Sequence, residues 1–374
     1  MSNTELVVFS HLRWTFVWQR PQQLISRLAA DRKVFFVEEM TRGDVDAPVL
    51  RHEQAGPVTR VWMEVPFGEP GEPVGFDLAG QSGYGEAVAE LVGPSEGRVA
   101  WLYTPLALDM ARAVEPALLV YDVMDDLASF KGASPQLVLR QRQTLAGADI
   151  VFTGGRSLHR TVTRHRTPGV HLFPSGVETQ HYATARQRQP RTGSRPVAGY
   201  VGVVDERLDL VLVADLAAAL PDWEIRMVGP VAKIDPSSLP QAPNLSWLGS
   251  RRYEELPEVM AGFDVALMPF ALNDATRSIS PTKTLEYLAA GLPVISTRVP
   301  DVVADCSELV DLCDDGPAFA EGCARVLGHD RLERYGRAAR LLHDRSWDTI
   351  AARMNGLIGA GLERFSSPAR ASGR

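Results

Sequence analysis

The sequence predicts an α/β protein made of two doubly wound domains, and three observations favour this class. The chain has 374 residues, more than one hydrophobic core usually supports. Short runs of β-branched and aromatic residues alternate with longer helical segments, as in parallel strands joined by crossover helices. A polar, strand-free stretch separates two such alternations, and we place a linker there, at residues 184–196.

The first alternation, residues 1–183, contains seven candidate strands and two clear helices. One of these helices carries leucines at helical spacing, with arginines on its other face. The strands are Leu6 to Ser10, Val34 to Glu38, Arg60 to Val65, Val99 to Tyr103, Leu118 to Asp122, Ile150 to Thr153 and Val170 to Phe173, and the helices are Pro21 to Ala30 and Pro135 to Ala146.

The second alternation, residues 197–345, contains five candidate strands and three helices. The strands are Val197 to Val204, Glu224 to Val228, Asn244 to Leu248, Asp264 to Pro269 and Pro293 to Thr297. The helices are Asp209 to Leu220, Glu254 to Gly262 and Thr282 to Ala290. The polar residues 365–374 form a tail.

Composition excludes several classes of protein. A hydrophobic fraction of 45% with 23% charged residues is typical of a soluble globular protein. The net charge of -7 argues against nucleic-acid binding by the molecule as a whole. No stretch approaches the ~18 to 20 apolar residues of a membrane span, and the three cysteines have no metal-binding spacing. We therefore expect a cytoplasmic protein.

The most informative motif begins at Ser278 and reads Ser-Ile-Ser-Pro-Thr-Lys-Thr-Leu-Glu. Pro281 suits a first helical turn, so Ser280 to Lys283 form a helix N-terminus whose N–H groups can hold phosphate. Lys283 adds a full positive charge, and Glu286 follows one turn later, where it could accept hydrogen bonds from ribose hydroxyls. The alternative is an ordinary helix with a solvated lysine and glutamate.

A second polar cluster, Tyr121-Asp-Val-Met-Asp-Asp126, follows a buried strand of the first domain. Ligands of doubly wound sheets bind at the carboxyl ends of strands, so Asp122, Asp125 or Asp126 could orient or deprotonate a substrate hydroxyl. The alternative is that these carboxylates cap the next helix. His11, directly after the first strand, is a structural residue or a second member of this site.

Four segments resemble motifs of the GT-B glycosyltransferases, in particular the large retaining family four. Phe173-Pro-Ser-Gly-Val-Glu is similar to the segment that closes the family's N-terminal domain. Gly202 followed by Arg207 resembles the first turn of its donor domain, and Gly249 to Leu256 resembles its nucleobase loop. Trp347, in Ser-Trp-Asp, resembles the start of its last helix.

The resemblance implies two Rossmann-like domains facing each other across a cleft, with helix 346–364 crossing back onto the N-terminal domain. It implies transfer of a hexose from a UDP- or GDP-sugar to a hydroxyl of a glycan, glycolipid or small molecule, with retention of configuration and without metal or other cofactor. The implied catalytic residues are Asp122, Asp126, Lys283 and Arg207, and His11 joins Asp122 and Asp126 on the acceptor side. The implied donor-binding residues are Gly202, Arg207, Arg252, Tyr253, Ser280, Pro281, Thr282, Lys283 and Glu286.

The sequence also departs from the family. Ser278 stands where the family has the first of two glutamates, and Asp274 could substitute for it. Asp-Glu-Arg at 205–207, Ser-Pro-Thr-Lys and the N-terminal Trp-x-x-x-x-Gln-Arg-Pro-Gln resemble a subgroup of bacterial transferases for cell-surface polysaccharide. An inactive nucleotide-sugar-binding partner of another transferase is the alternative. A nicotinamide oxidoreductase lacks support because no Gly-x-Gly-x-x-Gly follows an early strand.

A basic helix spans residues 156–166, with arginines and histidines on most turns. It is either a solvated face or a surface that contacts anionic lipid, which suits a lipid-linked acceptor and peripheral membrane contact.

Overall fold

The structure, a computed structural model, describes residues 4–16, 18–69, 74–78, 82–125, 127, 134–166, 168–188, 194–274, 276–277 and 279–366. Internal contacts divide the chain into two compact units. The first unit comprises the residues up to Gly154, Leu158–Phe173 and the segment from Ile350 onward. The second comprises Gly155–Ser157 and Pro174–Thr349.

The first unit is built on a sheet of nine described strands: β1 (Glu5–Ser10), β2 (Lys33–Glu38), β3 (Thr41–Gly43), β4 (Val49–Ala55), β5 (Val58–Pro66), β6 (Arg98–Leu102), β7 (Leu118–Val123), β8 (Ile150–Thr153) and β9 (Val170–Leu172). Their order is β3-β5-β2-β1-β6-β7-β8-β9, and β4 pairs with β5. The β4–β5 pair is antiparallel and the other pairs are parallel. All six residues of β1 are buried, as expected for a central strand covered on both faces.

The helices that precede residue 174 are Arg20–Leu28, Tyr84–Val92, Leu108–Ala113, Pro135–Gly147 and Arg156–Thr163. The start of the 135–147 helix has a simple cause in the sequence. The Ser134 hydroxyl accepts a hydrogen bond from the Leu137 N–H at 3.1 Å, and Pro135 occupies the first turn, where a missing N–H costs nothing.

The second unit contains a six-stranded parallel sheet: β10 (Val197–Val201), β11 (Glu224–Val228), β12 (Leu245–Trp247), β13 (Val265–Met268), β14 (Val294–Ser296) and β15 (Asp311–Leu312). The strand order is β12-β11-β10-β13-β14-β15. Its helices are Ala183–Arg186, Leu210–Ala219, Leu256–Ala261, Thr282–Ala289, Pro300–Cys306, Gly316–Val326 and Arg331–Asp344. Short 3-10 turns in the chain lie at Phe76–Leu78, Pro105–Ala107, Pro236–Ser238 and Tyr253–Glu255.

Both sheets have the doubly wound topology that the sequence predicts. Strand order reverses between β1 and β6 in the first unit and between β10 and β13 in the second. Such a reversal leaves a crevice beyond the carboxyl ends of the two strands, because the following connections run to opposite faces. The topology therefore nominates the residues after β1 and β6, and those after β10 and β13, as candidate sites.

The last helix, Trp347–Ser366, belongs mainly to the first unit, since residues from Ile350 onward contact that unit. Met354 and Ile358 are buried, and a Cβ on Gly361 would lie 3.0 Å from the Leu118 side chain of β7. The predicted packing of this helix on the N-terminal unit is thus confirmed.

The sequence also predicts a break at residues 184–196, of which 189–193 lie outside the described residues. The structure divides the chain earlier, after Phe173. The reason is that residues 174–188 pack on the second unit: His181 stacks on Tyr253, and Arg186 donates to the Ala289 carbonyl at 2.8 Å.

Candidate functional site

Three glycines line the carboxyl edge of the second sheet, each within two residues of the end of a strand. Gly202 follows β10, Gly229 follows β11, and Gly249 comes two residues after β12. A Cβ on Gly229 would lie 1.8 Å from the Gly202 carbonyl oxygen, so a side chain there would collide with backbone. The glycines let neighbouring loops approach closely and leave this edge lined by backbone.

Lys283 lies against the first of these glycines. A Cβ on Gly202 would be 1.9 Å from Lys283 Cε and 2.8 Å from its Nζ. Among the described residues, no hydrogen bond or ion pair holds this ammonium group. The loop after β10 and the lysine of the 282–289 helix therefore form one site, with a cation available to a ligand.

The 282–289 helix presents its N-terminus at the same place. Pro281 occupies the N-cap position and has no side-chain oxygen to cap the first turn. The N–H groups of the first turn and the helix dipole thus favour an anion. Ser280 and Pro281 also line a small pocket with Asp301, Asp305 and Arg345. Ser278 lies outside the described residues, and Asp274 is exposed and paired with Arg277.

Lys283 and Glu286 are partly buried and influence each other. Burial lowers the pKa of Lys283, and the Glu286 carboxylate partly offsets this effect. Burial raises the pKa of Glu286, and the Lys283 ammonium partly offsets that shift. Burial thus disfavours the charged form of both side chains, as is common for groups that bind a charged or polar ligand.

Arg207 is fixed by a neighbour. Its guanidinium donates to both carboxylate oxygens of Asp205, at 2.9 Å to Oδ1 and 2.6 Å to Oδ2. Asp205 is buried, whereas the Arg207 side chain is 35% exposed. Arg207 also contributes to lowering the pKa of Lys283, after burial, so the two cations lie near each other. The structure therefore brings together Gly202, Arg207, Lys283 and Glu286.

The predicted nucleobase loop is used partly for internal contacts. The Tyr253 ring stacks on His181 with centroids 3.9 Å apart, and its hydroxyl donates to Glu178 at 3.3 Å. His181 Nε2 lies 2.9 Å from the Tyr253 carbonyl, so this nitrogen carries the proton and donates. Arg252 is 78% exposed and pairs with Glu255. One face of Tyr253 is thus already covered, and the Arg252 side chain is engaged by Glu255.

In the first unit, Asp122 is not a free carboxylate. Arg20 donates to both of its oxygens at 2.9 Å, and both residues are buried. Although burial opposes the charge, Asp122 raises the pKa of Arg20. Arg20 also donates to the Phe173 carbonyl at 2.9 Å. A role for Asp122 as a base requires this pair to open, and Asp126 lies outside the described residues.

His11 lies at the switch point of the first sheet, directly after β1. Burial lowers its pKa to about 4, so the ring is neutral at pH 7. Its Nδ1 and the hydroxyl of Tyr103, which follows β6, are buried and have no hydrogen-bond partner among the residues that the structure describes. Buried polar atoms of this kind are costly unless a ligand or water satisfies them.

Comparison with known proteins finds a family match and a similar curated protein, each over part of the chain. Residues 195–329 match the family described as Glycosyl transferases group 1. A Bacillus subtilis (strain 168) protein, TuaH, described as a teichuronic acid biosynthesis glycosyltransferase, is 28% identical over 217 residues. That alignment covers 54% of this chain and 55% of TuaH, so the match spans about half of each protein.

Solved structures share the whole architecture at low sequence identity. An E. coli trehalose-6-phosphate structure bound with UDP-2-fluoro glucose has a TM-score of 0.68 and 13% identity, covering 95% of this chain and 99% of that one. Anabaena HepE in complex with UDP and glucose has a TM-score of 0.65 and 13% identity, covering 96% and 100%. The chain has the GT-B fold, and its residues 195–329 match the group 1 glycosyl transferases. No helix among the described residues is long and apolar enough to cross a membrane.

Sequence reasoning missed several residues at the two candidate sites. Arg20 lies in the Gln-Arg-Pro-Gln motif, which was noted as a resemblance without a role. Glu178, His181 and Tyr182 follow the Pro-Ser-Gly-Val segment that was used only to end a domain. Tyr182 is fully buried beside Glu286. The signal in each case was a polar or aromatic residue inside a motif already singled out.

Proposed function

We propose that the protein transfers a hexose from a UDP- or GDP-sugar to a hydroxyl of a glycan, glycolipid or small-molecule acceptor, with retention of configuration. The observation that carries this proposal is the Lys283 ammonium, unpaired among the described residues, against Gly202 at a helix N-terminus. A cation, free backbone N–H groups and a glycine-lined edge together suit a diphosphate.

The leaving diphosphate gains negative charge as the glycosidic bond breaks. Groups whose interaction strengthens at that moment accelerate the reaction. We assign this role to Lys283 and to the N–H groups of the first helical turn, with Arg207 adding positive charge nearby. Because the Arg207 guanidinium is already hydrogen-bonded to Asp205, we expect it to act through its positive charge and not by moving to contact the diphosphate.

Glu286 is proposed to hold the ribose. It lies one turn after Lys283 on the same helix, and its burial disfavours the charged form unless hydrogen-bond donors approach. Two ribose hydroxyls would supply such donors. Arg252 and Tyr253 are proposed for the base side, where the backbone of the 249–256 loop offers further polar groups.

The acceptor is proposed to contact the first unit at His11 and Asp122, with Asp126 as a further candidate. The buried, unsatisfied atoms of His11 and Tyr103 support a hydroxyl-bearing ligand, because hydroxyls both donate and accept. The reaction needs no metal in this proposal, since helix and side-chain cations supply the positive charge. The proposed location is cytoplasmic, with peripheral membrane contact through the basic 156–166 segment.

The test is release of UDP or GDP from a radiolabelled nucleotide hexose in the presence of a glycan or lipid acceptor. The product must contain the labelled sugar, and its anomeric configuration is read by NMR. Binding of the nucleotide sugar without release, across a panel of acceptors, would instead identify a non-catalytic partner. Binding of neither nucleotide would overturn the proposal.

A further inference from the structure

A basic pocket lies at the opposite edge of the second sheet from the lysine site. It is lined by residues that precede β13 and β14 and by the start of the 331–344 helix, and it encloses about 580 Å³, including the part open to solvent. Its lining residues are Arg186, Gln187, Arg188, Asp264, Pro293, Gly328, His329, Asp330, Arg331 and Leu332.

Positive charge dominates this basic pocket in a chain whose net charge is -7. Three arginines face two carboxylates, and both carboxylates already accept backbone hydrogen bonds. Asp264 accepts from the Val197 N–H at 2.8 Å, and Asp330 accepts from the Glu333 N–H at 2.8 Å. The two carboxylates offset two of the three guanidinium charges, and the remaining positive charge favours an anion.

Two of the arginines are held rigidly by carbonyl groups. Arg186 Nη1 donates to the Thr179 and Ala289 carbonyls at 2.8 Å, and its guanidinium lies 4.1 Å from the centre of the Tyr335 ring. Arg331 Nη1 donates to the Ala185 carbonyl at 2.7 Å, and its Nη2 donates to the Phe263 carbonyl. A guanidinium has five N–H donors, so each residue keeps donors in a fixed position.

Arg188 differs from these two because, in the described part of the chain, no hydrogen bond or ion pair holds it. Arg188 and Arg331 line the same pocket. Burial lowers the pKa of Arg331, the Asp264 carboxylate opposes that shift, and repulsion from Arg188 adds a smaller decrease. His329 Nδ1 accepts from Arg334 at 2.6 Å, which leaves its Nε2–H as a further donor.

We propose that this pocket is a second binding site, for a phosphate group, separate from the site of the nucleotide diphosphate. A dianionic tetrahedral group matches several fixed N–H donors and an adjacent exposed arginine. Free phosphate and a sugar phosphate share this chemistry. The site rests on its own residues and not on the proposed reaction, so either proposal can fail alone.

The test is isothermal titration of inorganic phosphate into the full chain at constant ionic strength. Lys283→Ala removes phosphate binding at the helix site, and one phosphate per chain should still bind to this variant. Adding Arg188→Ala should weaken that remaining binding at least about tenfold, whereas Arg188→Lys should retain part of it. The matched control is Arg112→Ala, which removes an exposed arginine outside the pocket and should leave the phosphate affinity unchanged.

Titration with a hexose phosphate separates the two sources of the ligand. Tighter binding than inorganic phosphate identifies a sugar phosphate, and equal binding identifies the free ion. Arg188→Ala alone should release nucleotide from the donor at the parent rate, because Arg188 is exposed and remote from Lys283. Equal phosphate affinity with and without Arg188, or no phosphate binding to Lys283→Ala, would overturn the inference.

Discussion

The two sheets have the same topology, but the polar groups beyond their switch points are arranged in opposite ways. In the second unit, Lys283 is unpaired among the described residues and faces a glycine-lined edge. In the first, Arg20 and Asp122 satisfy each other in a closed, buried ion pair. Sheet topology thus indicates where a site can lie. Whether the charged side chains at that place already pair with each other indicates whether a ligand can pair with them.

The largest expected effect is on the closed pair. Arg20→Met leaves a buried, uncompensated Asp122 carboxylate and should lower the free energy of unfolding of the first unit by about 3–5 kcal/mol. Urea denaturation followed by hydrogen exchange of the first-unit strands measures this loss. Arg20→Met with Asp122→Leu should recover part of it. The matched control is Arg51→Met, which breaks an exposed pair with Glu64 and should cost under about 1 kcal/mol. Equal costs for the two arginines would remove the contrast.

Replacing Lys283 should reduce the catalytic rate without reducing the stability of the fold. Lys283→Ala should lower kcat by about 10²- to 10³-fold, roughly 3–4 kcal/mol, because its interaction grows as the diphosphate leaves. Steady-state kinetics with labelled donor measures the change, after melting shows that the variant is folded. Lys233→Ala removes an exposed lysine of the same unit and should keep the parent rate. A folded Lys283→Ala protein with parental turnover would place the phosphate site elsewhere.

Glu286 lies on the same helix as Lys283, but it is proposed to bind the ribose, which does not react. Its replacement should therefore affect binding more than the catalytic rate. Glu286→Ala should weaken donor binding by about 1.5–3 kcal/mol, which raises the donor KM roughly 10- to 150-fold, with a smaller change in kcat. Initial rates over a range of donor concentrations separate the two constants. The exposed Glu321→Ala is the matched control. A fall in kcat alone would mean that Glu286 acts in the transition state.

The smallest effect concerns His11 in the first unit. Its pKa of about 4 lies below the unfolded value of about 6.5, so the unfolded chain binds the proton more readily. Stability should be fully present above pH 6.5 and fall as the pH drops toward 4. Between pH 7.5 and 5.5 the loss should be about 1.4 kcal/mol. Urea denaturation at the two pH values measures it, and His11→Gln should flatten this part of the dependence. An unchanged slope would show that His11 is not buried as a neutral ring.

Much of the architecture could be predicted because hydrophobic runs and glycine–proline punctuation report local structure directly. Each strand and helix named from the sequence is present, with ends shifted by up to three residues. The 49–55 strand was not predicted, since its residues Arg-His-Glu-Gln are exposed on an antiparallel edge and lack an apolar run. Its partner, β5, supplies the buried residues of that pair.

The candidate site was only partly accessible to sequence reasoning. Gly202, Lys283 and Glu286 were predicted because each falls in a recognisable motif. The Arg20–Asp122 pair joins residues 102 positions apart, and nothing local in the sequence reports that contact. The stacking of His181 on Tyr253 is likewise a tertiary contact, so the sequence does not report that one face of the Tyr253 ring is covered.

The first unit is built from segments near both ends of the chain, and this affects the order in which the protein can fold. Strands β7 and β8 supply Leu118 and Ile150, which are covered by Gly361 near the end of the last helix. A ribosome makes that helix only after the entire second unit, so the second unit can complete its core during synthesis while the first waits. A premature stop near residue 349 would therefore spare the second unit and leave exposed apolar strands at the other end of the chain.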